Sequence, residues 1–321
     1  MTSSTVRVGV VGTGALGTHH SRVFAGLDDA KLTTVFDLDQ ARAKSAGEPF
    51  GARVATSLED FTSEVDAAVV AVPTVAHAEV ATKLILAGRH VLVEKPITST
   101  IEEAEALVAL AEARGLVLQV GHVERFNPAS EALQKIGTPR FVEVHRLSPF
   151  PNRSLDIDVI LDLMIHDLDL LLALDKSKPV QIDAVGVPVL TDRVDIANVR
   201  IRFESGLIAN LTASRVSAEK IRKFRVFGSR LYASCDFITR TAQIAKLVMG
   251  AGGAPEIRME AIGSGPGDPE GEPLRRQAKA FVAAIVEGRP PVVSGADGLR
   301  VLRIAKEILD KMSGMGPTAQ S

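Results

Sequence analysis

The 321-residue chain has no tryptophan, one tyrosine and one cysteine. A lone Cys235 excludes an internal disulfide framework and a cysteine-based zinc cage. Within "LYASCDF" it reads as a small buried apolar residue rather than a nucleophile. Charge of one sign is also missing. Lys and Arg number 37 against 39 Asp and Glu, a formal net charge of −2, and no basic block stands out. Nucleic acid is therefore not the expected partner. No uninterrupted apolar run reaches the roughly 18 residues that a membrane span needs. "DAAVVAVPTVAHAEV" comes nearest, and Pro73, Thr74 and His77 interrupt it. The opening "MTSSTVRVGVVGTG" lacks the basic and apolar regions of a signal peptide. These absences predict a soluble cytoplasmic protein with no membrane or nucleic-acid partner.

Hydrophobic residues make up 46% and charged residues 24%, enough to bury a sizeable core, and the length suggests about two domains. Over the first 120 or so residues, strand-like and helix-like patterns alternate. Apolar runs at 6–12, 31–37, 52–55, 65–73 and 116–122 read as strands, and 90–93 as another. Helical patterns occupy 15–27, 75–88 and 101–115, with helix and turn at 41–51. Thr100-Ile101-Glu102-Glu103 is a capping box, in which the Thr100 hydroxyl and the Glu103 carboxylate satisfy each other's backbone amides. Buried strands alternating with helices predict a doubly wound parallel sheet.

Beyond about residue 123 the pattern changes. Residues 155–174 read as a helix and 179–245 as mostly strands, with turns at Ser205-Gly206 and Gly228-Ser229. Residues 249–273, rich in Gly and Pro, read as a mobile loop. Helices at about 274–287 and 299–312 close the pattern. The expected class is α/β: a Rossmann domain at 1–122, then an α+β domain at 123–321 with a large, mostly antiparallel sheet.

Gly12-Thr13-Gly14-Ala15-Leu16-Gly17 is a G-x-G-x-x-G between the first strand and a helix. Gly12 permits the tight turn, Gly14 the approach of a pyrophosphate, and Gly17 close packing of helix on sheet. Amides at the helix start then bind the anion. A glycine-rich structural turn is the plainer alternative. Asp37 ends the second strand 20 positions after Gly17. An acid there accepts from a ribose diol and repels a 2′-phosphate, which favours NAD over NADP. Arg42 and Lys44 read as solvated helix residues.

Glu94-Lys95-Pro96 follows a buried strand, on the edge where such sheets bind ligands. A lysine there can stabilise a developing alkoxide or carry a proton. Glu94 would hold Lys95 or touch the cofactor; a surface salt pair is the alternative. In "LDIDVILDLMIHDLDLLL", Asp158, Asp162, His166 and Asp169 fall on one helix face. The readings are a catalytic pair with His166 as base and Asp162 as its orienter, a metal site, or acids on a wet face. Beside a nucleotide loop and a placed lysine, the catalytic reading is preferred and no metal is expected.

Together these motifs resemble the Gfo/Idh/MocA family of NAD(P)-dependent sugar and polyol oxidoreductases. The features that carry it are the glycine loop, Asp37, "VPT" with His77, Glu94-Lys95-Pro96, Asp162-x-x-x-His166 and the closing "SGADGLRVLRIAKEIL". The resemblance implies that Lys95, Asp162 and His166 are catalytic. It implies cofactor contacts at Gly12, Thr13, Gly14, Ala15, Leu16, Asp37, Pro73, Thr74, His77 and Glu94. It also implies a homodimer or homotetramer joined through the second domain's sheet. "VGHVERFNP" and "SPFPNRSLDIDVILDLMIHDLDL" are similar to a bacterial branch that oxidises UDP-N-acetylglucosamine at its 3-hydroxyl and serves lipid A biosynthesis. In that branch His122, Arg125, Asn127, Arg146 and Arg153 would be substrate contacts, since arginine forks suit phosphate oxygens; each has a structural alternative. "SLDIDVI" replaces the glycine-rich run common elsewhere in the family, which weakens any transfer of simple-polyol contacts. A free polyol, inositol or aldose is the alternative substrate, and a non-catalytic NAD-binding regulator the alternative class.

Overall fold

A computed structural model describes residues 5–150, 157–250 and 254–313. The chain divides into two compact units. The first runs to Val123 and is completed by Leu274–Leu302. Its strands are β1 (Val6–Val11), β2 (Ala30–Phe36), β3 (Arg53–Val54), β4 (Ala67–Val70), β5 (His90–Val93) and β6 (Leu118–Val120). All pairings are parallel, in the order β3-β2-β1-β4-β5-β6. Helices α1 (Ala15–Ala25), α2 (Gln40–Gly47), α3 (Leu58–Ser63), α4 (His77–Leu86) and α5 (Ile101–Ala113) connect them. All four β4 residues, Ala67, Ala68, Val69 and Val70, are fully buried. Helices cover both faces of a parallel sheet, so such a strand needs no polar alternation. The strand order reverses between β1 and β4, and a doubly wound sheet binds its ligand at that switch point. The capping box forms as expected: Thr100 Oγ1 accepts from the Glu103 amide at 3.2 Å, and Glu103 Oε2 accepts from the Thr100 amide at 3.0 Å.

The second unit comprises Glu124–Pro273 and the chain from Arg303 onward. It holds the short α6 (Glu131–Gln134), β7 (Pro139–Leu147) and α7 (Ile165–Leu174). Then come β8 (Pro179–Val187), β9 (Ile196–Phe203), β10 (Ile208–Ser214), β11 (Ile221–Gly228), β12 (Leu231–Asp236), β13 (Thr241–Met249) and β14 (Pro255–Gly263). The eight-stranded sheet has the order β14-β13-β12-β11-β7-β10-β9-β8. Only β7 and β10 run parallel. β9 alternates buried and exposed residues along its length, the mark of a sheet with one covered face.

Three features depart from the sequence-based expectations. Helix α8 (Pro273–Glu287) places Ala278, Phe281 and Val282 in the same core as Val8, Val10 and Phe24. A single division at 122/123 does not contain this return, because adjacency in space is decided by the helix's apolar face. Residues 139–147, for which the sequence pattern predicts no strand, form the central β7. Residues 255–263 are an edge strand and not a loop: β14 pairs with β13 from Thr241↔Gly263 to Met249↔Pro255. Ile257 and Met259 remain 67% and 60% exposed, so no burial pattern marks β14. Its partner strand supplies the order. Helix α9 (Gly295–Ser313) closes the described chain.

Candidate functional site

The first unit gathers its candidates at the C-terminal ends of β1, β2, β4 and β5. Gly12 has φ +85°, and a Cβ there would lie 2.7 Å from the Ala71 and Val72 backbone. A Cβ on Gly17 would lie 1.8 Å from the Gly12 carbonyl oxygen, so helix and loop meet as closely as backbone allows. Gly14, by contrast, has open space where its Cβ would be. Helix α1 starts at Ala15, with Leu16 next, and has neither a capping side chain nor an acid in its first turn. Its leading amides and dipole therefore favour an anion. This is a cradle that a pyrophosphate fits.

Asp37 is oriented by that loop. Its Oδ2 accepts from the Thr13 amide at 2.7 Å and from Thr13 Oγ1 at 3.0 Å, and its Oδ1 accepts from the Asp39 amide at 2.9 Å. Burial alone would raise the Asp37 carboxyl. The Asp39 and Thr13 amides outweigh it, and the group is held below its ordinary value. An ionised carboxylate with lone pairs to spare suits a ribose diol and opposes a 2′-phosphate. The Thr13 amide and hydroxyl face Asp37 and hold the acid in place.

Pro73 and Thr74 open a short 3₁₀ turn after β4, Thr74–Ala76. His77, expected as a cofactor contact, is engaged by backbone. It is 1% exposed, with Nδ1 2.9 Å from the Pro96 oxygen and Nε2 2.9 Å from the Val72 oxygen. Both ring nitrogens thus face backbone oxygens, and a neutral ring donates to one of them, tying the strand ends together. Glu94, expected to hold Lys95 or touch the cofactor, is engaged by His20 and the Lys95 amide. It is 6% exposed; its Oε1 lies 2.8 Å from His20 Nε2 and its Oε2 accepts from the Lys95 amide at 3.2 Å. Lys95 itself is half-buried at the end of β5, and its peptide bond to Pro96 is cis. His122 is buried just beyond β6.

In the second unit, the polar stripe on 158–169 does not act as one face. Asp162 lies in a π-helical turn, Ile160–Met164, that precedes α7, and His166 lies in α7's first turn. A π turn carries more residues per turn than an α-helix, so it rotates α7 relative to a regular helix. Asp162 and His166 are half-buried. Asp158 Oδ1 accepts from the Val194 amide at 3.1 Å. Asp169 is fully buried and bound by the Arg125 fork at 2.9 and 2.6 Å.

Arg146, expected as a substrate contact, is engaged by carboxylates. It is 2% exposed and gives its fork to Asp167 at 2.7 and 2.8 Å and a further bond to Glu124 at 3.1 Å. Burial opposes its charge, but Asp167 and Glu124 hold the guanidinium above its ordinary value; burial pushes Asp167 up, against Arg146. Asn127 accepts from the Ala129 amide and donates to Glu124 Oε2 and the Phe237 oxygen, each at 3.1 Å. Arg125 and Asn127 therefore match their structural alternatives. Arg153 lies outside the described residues.

Several contributing residues were not singled out in the sequence. His20 is one, and it lies three positions after Gly17. Asp195 and Arg215 form another set. Asp195 Oδ2 accepts from the Val189, Leu190 and Thr191 amides, and Arg215 Nε donates to Asp195 Oδ1 at 2.7 Å. Arg215 also donates to the Ile157 oxygen at 2.7 Å, and the Val159 amide to the Val194 oxygen at 3.0 Å. This fully buried pair anchors the segment that leads into Asp162. No local spacing announces it. Among the described residues, no group of three or more His, Cys, Asp or Glu is arranged to hold a metal ion.

Residues 6–122 match the Gfo/Idh/MocA oxidoreductase family with its NAD-binding Rossmann fold, and residues 131–233 match the Gfo/Idh/MocA C-terminal domain. The chain belongs to the Gfo/Idh/MocA family. As a member, it is an NAD-dependent oxidoreductase, in keeping with the glycine cradle and the ionised Asp37. It is 41% identical over 308 residues to the UDP-N-acetylglucosamine 3-dehydrogenase of Acidithiobacillus ferrooxidans, covering 94% of this chain and 96% of that protein. A solved structure of that enzyme superposes with a TM-score of 0.88, at 39% identity and with 96% and 98% of the two chains covered. The myo-inositol 2-dehydrogenase of Thermotoga maritima is 26% identical over 333 residues, covering 95% and 97%. No helix among the described residues is long and apolar enough to cross a membrane.

Proposed function

We propose that the chain oxidises the 3-hydroxyl of UDP-N-acetylglucosamine or a related UDP-sugar. The observation that carries this reading is the 41% identity to the Acidithiobacillus ferrooxidans enzyme across nearly the whole of both chains. Bound NAD supplies a hydride acceptor at the switch-point edge of the parallel sheet. In this reading Lys95 hydrogen-bonds the sugar hydroxyl and stabilises the negative charge that develops on its oxygen. His166 takes the hydroxyl proton, and Asp162 orients the imidazole. Gly12, Gly14, Ala15 and Leu16 cradle the pyrophosphate, Asp37 holds the ribose, and Pro73 and Thr74 border the cofactor. Arg153 and His122 are retained as substrate contacts.

The reading extends to a cytoplasmic homo-oligomer that serves lipid A biosynthesis. A cross-strand row of aromatics on the second unit's sheet supports the oligomer: Phe141, Phe227 and Tyr232, with ring centroids 5.6 and 4.9 Å apart in succession. The exposed Ile257 and Met259 on β14 add apolar surface to that unit. Oxidation of a secondary alcohol by NAD is unfavourable at neutral pH, so an aminotransferase that consumes the ketone would draw it forward.

The test incubates the protein with NAD and UDP-N-acetylglucosamine, monitors NADH absorbance, and traps the ketone with an aminotransferase. NADH and a trapped 3-amino sugar are expected. Turnover of free inositols or aldoses, with none of the UDP-sugar, would overturn the reading in favour of the polyol alternative.

A further inference from the structure

We propose that His20 is a positioning residue for Lys95 and acts through Glu94. The inference rests on the reading of Lys95 as catalytic.

His20 lies on α1, fully buried, and its ring stacks beside Phe24. Nε2 is 2.8 Å from Glu94 Oε1, while the buried Nδ1 has no hydrogen-bond partner. A buried polar atom left unmatched costs free energy, so its persistence calls for a reason. The whole polar capacity of this ring goes to one carboxylate. That carboxylate is equally specific. Its second oxygen accepts from the Lys95 amide at 3.2 Å. Gly121 makes room for it, since a Cβ there would lie 2.6 Å from Glu94 Oε2.

Position in the chain connects this pair to the lysine. β5 ends at Val93, and Glu94 and Lys95 open the turn that follows it. The bond from the Lys95 amide to the Glu94 carboxylate fixes the backbone from which the ammonium projects. Burial opposes a charge on Glu94, but the His20 bond and the Lys95 amide overcome it and hold the carboxyl below its ordinary value. On the other side of the turn, His77 holds the Pro96 oxygen at 2.9 Å. The lysine is thus presented by a turn tied at both ends.

The test compares His20→Phe, which keeps a ring but no donor, with His20→Gln, which keeps an N–H for Glu94. Each is assayed with NAD and UDP-N-acetylglucosamine for kcat and KM, with NAD affinity by calorimetry and the thermal midpoint as controls. Misplacing a catalytic group by about an ångström costs up to roughly a hundredfold in rate. We expect His20→Phe to lower kcat by about ten- to a hundredfold, with NAD affinity kept within about threefold and His20→Gln recovering most of kcat. Equal losses in both variants, or a fall in NAD affinity or midpoint with kcat unchanged, would overturn the inference. If His20→Phe does not fold, Gly121→Ala displaces the same carboxylate and is read by the same assays; wild-type kcat there overturns it too. Lys95→Ala separates the two levels. If it keeps wild-type kcat, the catalytic reading of Lys95 has failed; if it is inactive while His20→Phe is normal, only the positioning inference has failed.

Discussion

The turn at 94–96 and the helical segment at 157–174 hold their polar side chains by different means. The turn sits where a parallel strand ends. Backbone groups and single buried side chains hold it: His20 on Glu94 and His77 on Pro96. The helical segment is held by buried ion pairs, Arg125 with Asp169, Arg146 with Asp167 and Glu124, and Arg215 with Asp195. A strand end is placed by the sheet, so a few bonds suffice to aim a residue there. A helix lying against an antiparallel sheet has no such stop, and its rotation must be set by partners. Substitution of Lys95 at the turn should therefore act on turnover, and substitutions in the ion pairs that hold the helical segment should act on stability.

Lys95→Ala gives the largest expected effect. Loss of a donor to a developing oxyanion costs about 10²- to 10³-fold in kcat, measured by steady-state NADH production, with the thermal midpoint little changed. Arg146→Met should act the other way. Removing one partner of a buried charge cluster costs about 3–5 kcal/mol, read by urea unfolding. If Lys95→Ala unfolds the protein, or Arg146→Met removes turnover without loss of stability, the contrast between the regions breaks.

Asp37→Asn keeps an acceptor for the Thr13 amide but removes the charge. A charged hydrogen bond exceeds a neutral one by about 1–1.5 kcal/mol. Calorimetry should therefore show NAD binding weakened by about tenfold.

His77 tests the turn through pH. Burial depresses its imidazole below the ordinary value, against its bonds to the Pro96 and Val72 oxygens. An unfolded histidine protonates near about pH 6.5, and the folded one resists. Stability is therefore full above that value and is lost as the pH falls below it. Urea unfolding from pH 7.5 to 5.5 should show this decline. His77→Gln should flatten it in part, since His90, also depressed by burial, retains its share.

Thr100→Ala is the smallest expected change. It removes one side of the capping box and costs about 1 kcal/mol, by the same unfolding assay. A much larger loss would show that this local cap also supports the 94–96 turn.

Legibility in the sequence divides along the same line. The glycine loop, Asp37 and the capping box were legible because their signals lie in short spacings and in strand–helix alternation. Lys95 was singled out by its place at a strand end. Glu94, His77, Arg146 and Asp169 were legible as polar residues in unusual company, but not by role. Their partners are distant in sequence: His20 and Glu94 are 74 positions apart, and Arg125 and Asp169 are 44 apart. An acid–histidine stripe at helical spacing also assumed a regular helix, and the π turn at 160–164 removed that assumption.

The sequence by itself determined the parallel nucleotide-binding unit, its phosphate cradle and the helix caps, because hydrophobic period and turn chemistry act over a few residues. Tertiary structure alone decided which carboxylates are buried and paired, that α8 returns to the first unit, and that residues 255–263 extend the second sheet as an edge strand. Those outcomes depend on which surfaces meet, and burial and ion pairing are properties of that meeting rather than of any one segment.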